Sequence, residues 1–226
     1  MTVQHKTALI LGATGLTGKS CLEALLASVE YSQVLALTRR PLNVTHARLR
    51  NLVVDFDDLG PFESQIKADD IFCALGTTIR HAGSKEAFRK IDYTYPLSVA
   101  QIAVKNGARQ FILVSAVGAN ADSSVFYLKV KGDLENALAA LPFKSQLFFR
   151  PAMLDGEREE RRFREELGVI FSHAIAFILV GKWRKYRAVK TTDLAKAMCI
   201  AANKNLTGVH RFDSSQITEL AHSSRA

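Results

Sequence analysis

The apolar run Thr7-Ala-Leu-Ile-Leu11 leads directly into Gly12-Ala-Thr-Gly15-Leu-Thr-Gly18, and a helical pattern starts at Thr17 and lasts to about Ser28. A strand, a glycine-rich turn and a helix in this order form the phosphate-binding start of a dinucleotide-binding βαβ unit. Each glycine has its own reason to be there. Gly12 permits the tight turn, Gly15 lets the backbone approach a pyrophosphate, and Gly18 lets the helix pack close to the strand. The N–H groups of Leu16 and Thr17 then face the phosphates at the positive end of the helix, and Thr14 completes the binding set of the turn.

Outward from this turn, short apolar runs alternate with longer helical patterns. The alternation predicts an α/β, Rossmann-type, doubly wound and mostly parallel sheet with helices on both faces. Strands are expected at about Thr7–Leu11, Gln33–Thr38, Leu52–Asp55, Asp70–Leu75, Arg109–Ser115, Gln146–Arg150 and Val209–Phe212. Helices are expected at about Thr17–Ser28, Ser84–Asn106, Ser124–Leu141, Glu159–Leu179 and Thr191–Asn203. The run Phe111-Ile-Leu-Val114 is continuously apolar, as suits a strand covered on both faces. Pro96 falls inside a helical pattern and should bend or divide that helix. The 226 residues suit a single domain spanning 1–226, with a small substrate-side portion after about residue 151.

The composition, 48% hydrophobic with a mean hydropathy of +0.04, supplies apolar material for one core. Cys21, Cys73 and Cys199 are far apart and apolar-flanked, which predicts reduced, buried thiols and a cytoplasmic protein. No secretory leader is expected from Met1 to Lys6, and no metal site from the six histidines. A formal charge of +8 favours anionic partners in general, a phosphorylated cofactor among them.

The second strand ends at Thr38-Arg39-Arg40-Pro41, where an acid would hold the ribose hydroxyls of NAD. Arg39 and Arg40 suit a 2′-phosphate instead, so the expected cofactor is NADP(H). Asp55 and Phe56, after the third strand, are assigned to the adenine. Leu75, Gly76, Thr77 and Thr78, after the fourth, are assigned to the nicotinamide side, at the carboxyl edge of the sheet.

Tyr127 and Lys131 lie four residues apart, on one helical face. A nearby ammonium is expected to lower the phenol's pKa and make it a usable proton donor or acceptor; the lysine can also hold the nicotinamide ribose. Ser115 ends the strand just upstream, where its hydroxyl could meet the reacting oxygen. Tyr186 and Lys190 repeat the spacing beyond the sixth strand, in a basic segment, and are read as surface residues.

The blocks G-A-T-G-L-T-G, C-A-L-G-T-T, I-L-V-S-A-V-G-A, F-Y-L-K-V-K-G and F-R-P, in this order, resemble an atypical short-chain dehydrogenase/reductase. The likeness is to the Tat-interactive-protein branch and its small bacterial relatives, and it spans nearly the whole chain. It implies that Ser115, Tyr127 and Lys131 match the family's Ser–Tyr–Lys triad. It also implies that Gly12, Gly15, Gly18, Arg39 and Arg40 match its NADPH contacts, with Pro151 bordering the nicotinamide. One departure stands out: Asp92 occupies a place where the full-length dehydrogenases often carry asparagine, and an ionised carboxylate there would alter a water-mediated proton relay.

Weaker signals lie after residue 150. Lys182-Trp-Arg-Lys-Tyr-Arg187 interleaves cations and aromatics, but with no companion motif it reads as a rim of the substrate cleft, and nucleic acid is not expected as a partner. Leu167 to Val180 is apolar but too short for a membrane span, and Glu157 to Glu166 reads as an exposed helix face. His81 lies on a loop that could touch substrate. Three functions follow. One is an NADP(H)-dependent oxidoreductase acting on a small carbonyl or alcohol. Another is an NADPH-sensing module that regulates a protein partner with little turnover. The third, a nucleotide-sugar epimerase or dehydratase, is disfavoured by the short portion after Arg150. A monomer or homodimer is expected.

Overall fold

A computed structural model describes residues 6–155 and 188–223. Seven parallel strands form the central sheet: β1 (Lys6–Leu11), β2 (Tyr31–Thr38), β3 (Leu49–Val53), β4 (Asp70–Cys73), β5 (Gln110–Val114), β6 (Ser145–Arg150) and β9 (Gly208–Asp213). Their spatial order is β3-β2-β1-β4-β5-β6-β9, so the chain reverses its winding direction between β1 and β4. Ligands of such sheets bind in the crevice at this switch point, outside the carboxyl ends of the strands. A short parallel pair, β7 (Met153–Asp155) with β8 (Ala188–Lys190), lies beyond β6.

The inner strands bury both faces, and alternate residues feed two cores. Ala8, Ile10, Phe72, Ile112, Leu147 and Phe149 pack on one side with helices α1 (Leu16–Ala27), α6 (Thr191–Ala202) and α7 (Ser214–His222). Leu9, Leu11, Ile71, Phe111, Leu113 and Phe148 pack on the other with α4 (Tyr95–Lys105) and α5 (Phe126–Ala139). The period-2 direction of strand side chains produces this division.

The expected second helix, Ser84–Asn106, is divided. After a single turn α2 (Ile79–Ala82), it becomes α3 (Lys85–Arg89), a π turn (Lys90–Thr94) and α4. Pro96 is the cause. It has no N–H to give, and its ring would crowd the carbonyl four residues back, that of Asp92. The widened turn, in which the Tyr95 N–H bonds the Lys90 carbonyl, relieves both.

One expected boundary shifts, and two elements were not anticipated. The third strand is Leu49–Val53 and not Leu52–Asp55, because its register with Val34–Thr38 is anchored at its start by Arg48. The Arg48 guanidinium donates to the carbonyls of Leu26, Ser28 and Tyr31. Helix α7 was not anticipated, although Asp213-Ser-Ser-Gln216 builds a full capping box. The β7–β8 pair was not anticipated either. The expected helix Glu159–Leu179, the runs Glu157–Glu166 and Leu167–Val180, the Lys182–Arg187 segment and Tyr186 lie outside the described residues. Among those described, no helix is long and apolar enough to cross a membrane.

Candidate active site and cofactor cradle

The turn after β1 meets the end of β4 at the switch point. Gly12 has φ +81°, and a Cβ there would lie 2.6 Å from the Ala74 carbonyl oxygen. A Cβ on Gly18 would lie 1.8 Å from the Gly12 oxygen, so this glycine is what lets α1 sit on the turn. Gly15 differs. It is exposed, its backbone is extended, and a Cβ would meet only the Gly12 oxygen, at 3.4 Å. The fold itself places little demand on a glycine at 15, whereas a phosphate approaching the backbone does. Helix α1 also starts without a side-chain cap and with no acid in its first turn. Such an end offers backbone N–H groups and the positive helix pole to an anion. Thr14 is exposed, Leu16 half-buried and Thr17 buried.

Arg39 and Arg40 are exposed beyond β2, with no ion-pair partner among the described residues. Their turn is held from below by Asn51 on β3. The Asn51 amide donates to the Ala36 carbonyl (3.0 Å) and the Thr38 hydroxyl (2.8 Å), and it accepts the Leu42 N–H at 2.8 Å. Asp55 is exposed, but the Phe56 ring turns inward and packs at 5.3 Å on Tyr95, so it has only backbone to offer an adenine.

After β4, Leu75 is half-buried, Gly76 exposed and Thr77 half-buried. Thr78 is buried, and its hydroxyl caps α2 by accepting the His81 N–H at 3.1 Å. The Thr77 N–H donates to Asp92 Oδ2 at 2.8 Å. Asp92 also pairs with Lys131 Nζ at 2.8 Å, both side chains being buried. The Tyr127 ring is half-buried, 5.7 Å from Phe88, with Lys131 Nζ 6.0 Å from its centroid. Its hydroxyl makes no hydrogen bond among the described residues. Gly132 sets the depth of α5, since a Cβ there would lie 2.2 Å from the Asn120 carbonyl carbon.

One electrostatic expectation has the right sign for Lys131 but is outweighed by burial. Tyr127 is held above the ordinary phenol range and not below it: burial raises it, Lys131 pulls it down, and the Asp92 carboxylate opposes Lys131. Burial alone would lower Lys131, yet Asp92 keeps it above its usual range and charged.

Ser115 is buried at the end of β5, and its hydroxyl donates to Glu135 Oε1 at 2.6 Å. Glu135 also takes Arg150 through both oxygens (2.8 and 2.5 Å) and Arg211 at 3.1 Å. Sequence reasoning missed Glu135. The available signal was its position four residues after Lys131, on the Tyr127–Lys131 face. Pro151 is buried and accepts the Val117 N–H at 3.2 Å. Lys190 is exposed, at the edge of the described residues.

Comparison with known proteins agrees with this geometry. Residues 12–160 match a family model described as NAD(P)H-binding. Rat "Protein HTATIP2" is 36% identical over 200 residues, covering 87% of this chain and 81% of that protein. The chain belongs to the NAD(P)H-binding, atypical short-chain dehydrogenase/reductase family. A second member, "Protein FMP52-1, mitochondrial" of Scheffersomyces stipitis, is 39% identical over 156 residues, 68% of this chain and 69% of that one. The family's fold extends to the oxidoreductase ylbE of Lactococcus lactis (TM-score 0.67, 18% identity, 96% and 95% of the two chains). It also matches MoeE5 in complex with UDP-glucose and NAD (TM-score 0.67, 16% identity, 97% and 82%). The uncapped start of α1 and the exposed backbone at Gly15 fit the phosphates of such a dinucleotide.

Proposed function

We propose that the protein is an NADP(H)-dependent oxidoreductase that interconverts a small carbonyl compound and its alcohol. The observation that carries this reading is the Tyr127 hydroxyl: it has no protein partner among the described residues and stands one helical turn from a buried ammonium, in the first turn of the helix that follows β5. The bound dinucleotide supplies hydride to the carbonyl carbon and is itself oxidised. Tyr127 gives its phenol proton to the carbonyl oxygen, and the tyrosinate left behind regains a proton from water. Lys131, fixed by Asp92, has two further N–H donors for the nicotinamide ribose. Ser115 orients the carbonyl in this reading by turning its proton from Glu135 to the substrate. Arg39 and Arg40 hold the 2′-phosphate, and Asp55, Phe56, Leu75, Gly76, Thr77, Thr78 and Pro151 line the remaining cofactor.

The sensor reading has one observation in its favour: the Ser115 proton is already committed to a buried carboxylate. Turnover decides between the two. Against a panel of small aldehydes and ketones with NADPH, the parent should turn over, and Tyr127→Phe should lose roughly 100-fold or more of that activity while NADPH affinity changes little. Stoichiometric NADPH binding without turnover on any panel member would replace the enzyme with the sensor. We place the protein in the cytoplasm on its buried, free thiols; because the FMP52 relatives are named mitochondrial, fractionation with a matrix marker is the check.

A further inference from the structure

Asp92 is 1% exposed and joins three segments of chain that meet at the carboxyl edge. Its Oδ2 holds the turn after β4 through the Thr77 N–H, its Oδ1 holds α5 through Lys131, and it rides on the π turn that Pro96 imposes. Gly76 closes over the pair: a Cβ at this exposed position would come within 3.2 Å of Asp92 Oδ1 and 3.6 Å of Lys131 Nζ. The ion pair therefore lies directly beneath backbone that faces the crevice.

We propose that Asp92 is a positioning residue that locks Lys131 beneath the Gly76–Thr77 turn and compensates the lysine's charge beside Tyr127. The inference rests on reading Tyr127 as the proton donor. An uncompensated ammonium near the phenol would favour the tyrosinate, the form that accepts a proton from an alcohol. Burial already holds the phenol's proton through the neutral range; with Asp92 in contact, Lys131 contributes position more than acidity. The protonated phenol is the form carbonyl reduction uses.

The groups facing this cluster agree with the proposal. Lys131 and Tyr127 come from α5, Asp92 from the π turn and Cys73 from β4. Burial pushes the Cys73 thiol up to about 12, so it adds no charge at neutral pH. Burial also raises Asp92, while Lys131 and the Thr77 N–H pull it back. The contact at 2.8 Å and the raised Lys131 favour the ionised pair.

Phenolate absorbance of the full, cofactor-free chain tests this. The difference between a protein and its Tyr127→Phe counterpart isolates the Tyr127 titration. Asp92→Asn keeps an acceptor for the Thr77 N–H but removes the charge, and it should lower the Tyr127 midpoint by about one pH unit, a tenfold change in acidity. An unchanged midpoint in a folded Asp92→Asn protein overturns the proposal. If Asp92→Asn does not fold, Asp92→Asn/Lys131→Met should, because both buried charges are then gone. Tyr127 should titrate in that double variant as in the parent; a double variant that stays unfolded, or one with a midpoint about a unit lower, overturns the proposal. The titration needs neither cofactor nor substrate. A lack of turnover would sink the enzyme reading and leave this result standing.

Discussion

Among the described residues, two clusters join a lysine and a tyrosine around a buried aspartate, one at each end of the same sheet. At the amino edge, Asp70 accepts from Lys6 Nζ (2.9 Å), the Tyr31 hydroxyl (2.7 Å) and Gln110 Nε2 (3.0 Å). At the carboxyl edge, Asp92 takes Lys131 and the Thr77 N–H, while the Tyr127 hydroxyl is left unused by the described residues. The ingredients are the same and the wiring differs. In the first cluster the phenol is consumed in holding β1, β2, β4 and β5 together. In the second it is half-buried and has no hydrogen-bond partner among the described residues. A buried charge cluster marks a site when one member is left over, and marks scaffolding when none is.

The sharpest way to break this comparison is at the carboxylates. Asp70→Ala leaves Lys6 and the buried Tyr31 hydroxyl without their partner, and removing one member of a buried pair costs about 3–5 kcal/mol. Denaturant unfolding should show a loss of that order, with cofactor affinity in the remaining folded protein unchanged. If Asp70→Ala were as stable as the parent but weakened NADPH binding, the amino-edge cluster would belong to the site and the distinction would fail.

Much of this arrangement was legible in the chain and some was not, for a physical reason. The glycine turn, the parallel sheet and the Tyr127–Lys131 pair are local patterns whose meaning lies within a few residues. The break at Pro96 was legible too, because proline's missing N–H acts locally. The Asp70 cluster draws on positions 6, 31, 70 and 110, and only the strand order brings these together. The pairing of Ser115 with Glu135 was hidden in the same way, and it changes what Ser115 is free to do. The acidity of Tyr127 was misjudged because burial, which only the packed fold supplies, outweighs the pull of Lys131, and Asp92 adds to it from 35 positions away in the chain.

The two tyrosines give a milder test, one that depends on pH. Burial first, then the Asp70 charge, raises Tyr31 above its ordinary range in the folded protein. A group raised in this way stabilises fully below its unfolded pKa, about 10 for tyrosine, and that stability drains away as pH climbs beyond it. Tyr31→Phe should cost about 1.5–3 kcal/mol at neutral pH, as expected for a hydrogen bond to a charged group. It should also flatten the stability loss above pH about 10, leaving the part due to the other raised groups, among them the buried thiols of Cys21, Cys73 and Cys199 and the phenols of Tyr95 and Tyr127. Measuring unfolding free energy against pH for both proteins checks this. Parallel curves would mean that the Tyr31 hydroxyl is not coupled to folding.

The smallest expected effect concerns a residue that shares features of both clusters. Asn51 has its amide satisfied within the protein, as Asp70 has its carboxylate, yet what it holds is the Arg39–Arg40 turn at the carboxyl edge. If those arginines bind a 2′-phosphate, the parent should prefer NADPH to NADH at least tenfold, about 1.4 kcal/mol. Arg39→Ala/Arg40→Ala should erase the preference. Asn51→Ala keeps both charges but frees the turn that carries them, so ordering the turn must be done on binding and the preference should fall by about three- to fivefold. NADH affinity is the control, because NADH lacks the 2′-phosphate and gains nothing from the arginines being in place. A drop in NADPH affinity alone assigns Asn51 to specificity; an equal drop for both dinucleotides would make it scaffolding, like Asp70.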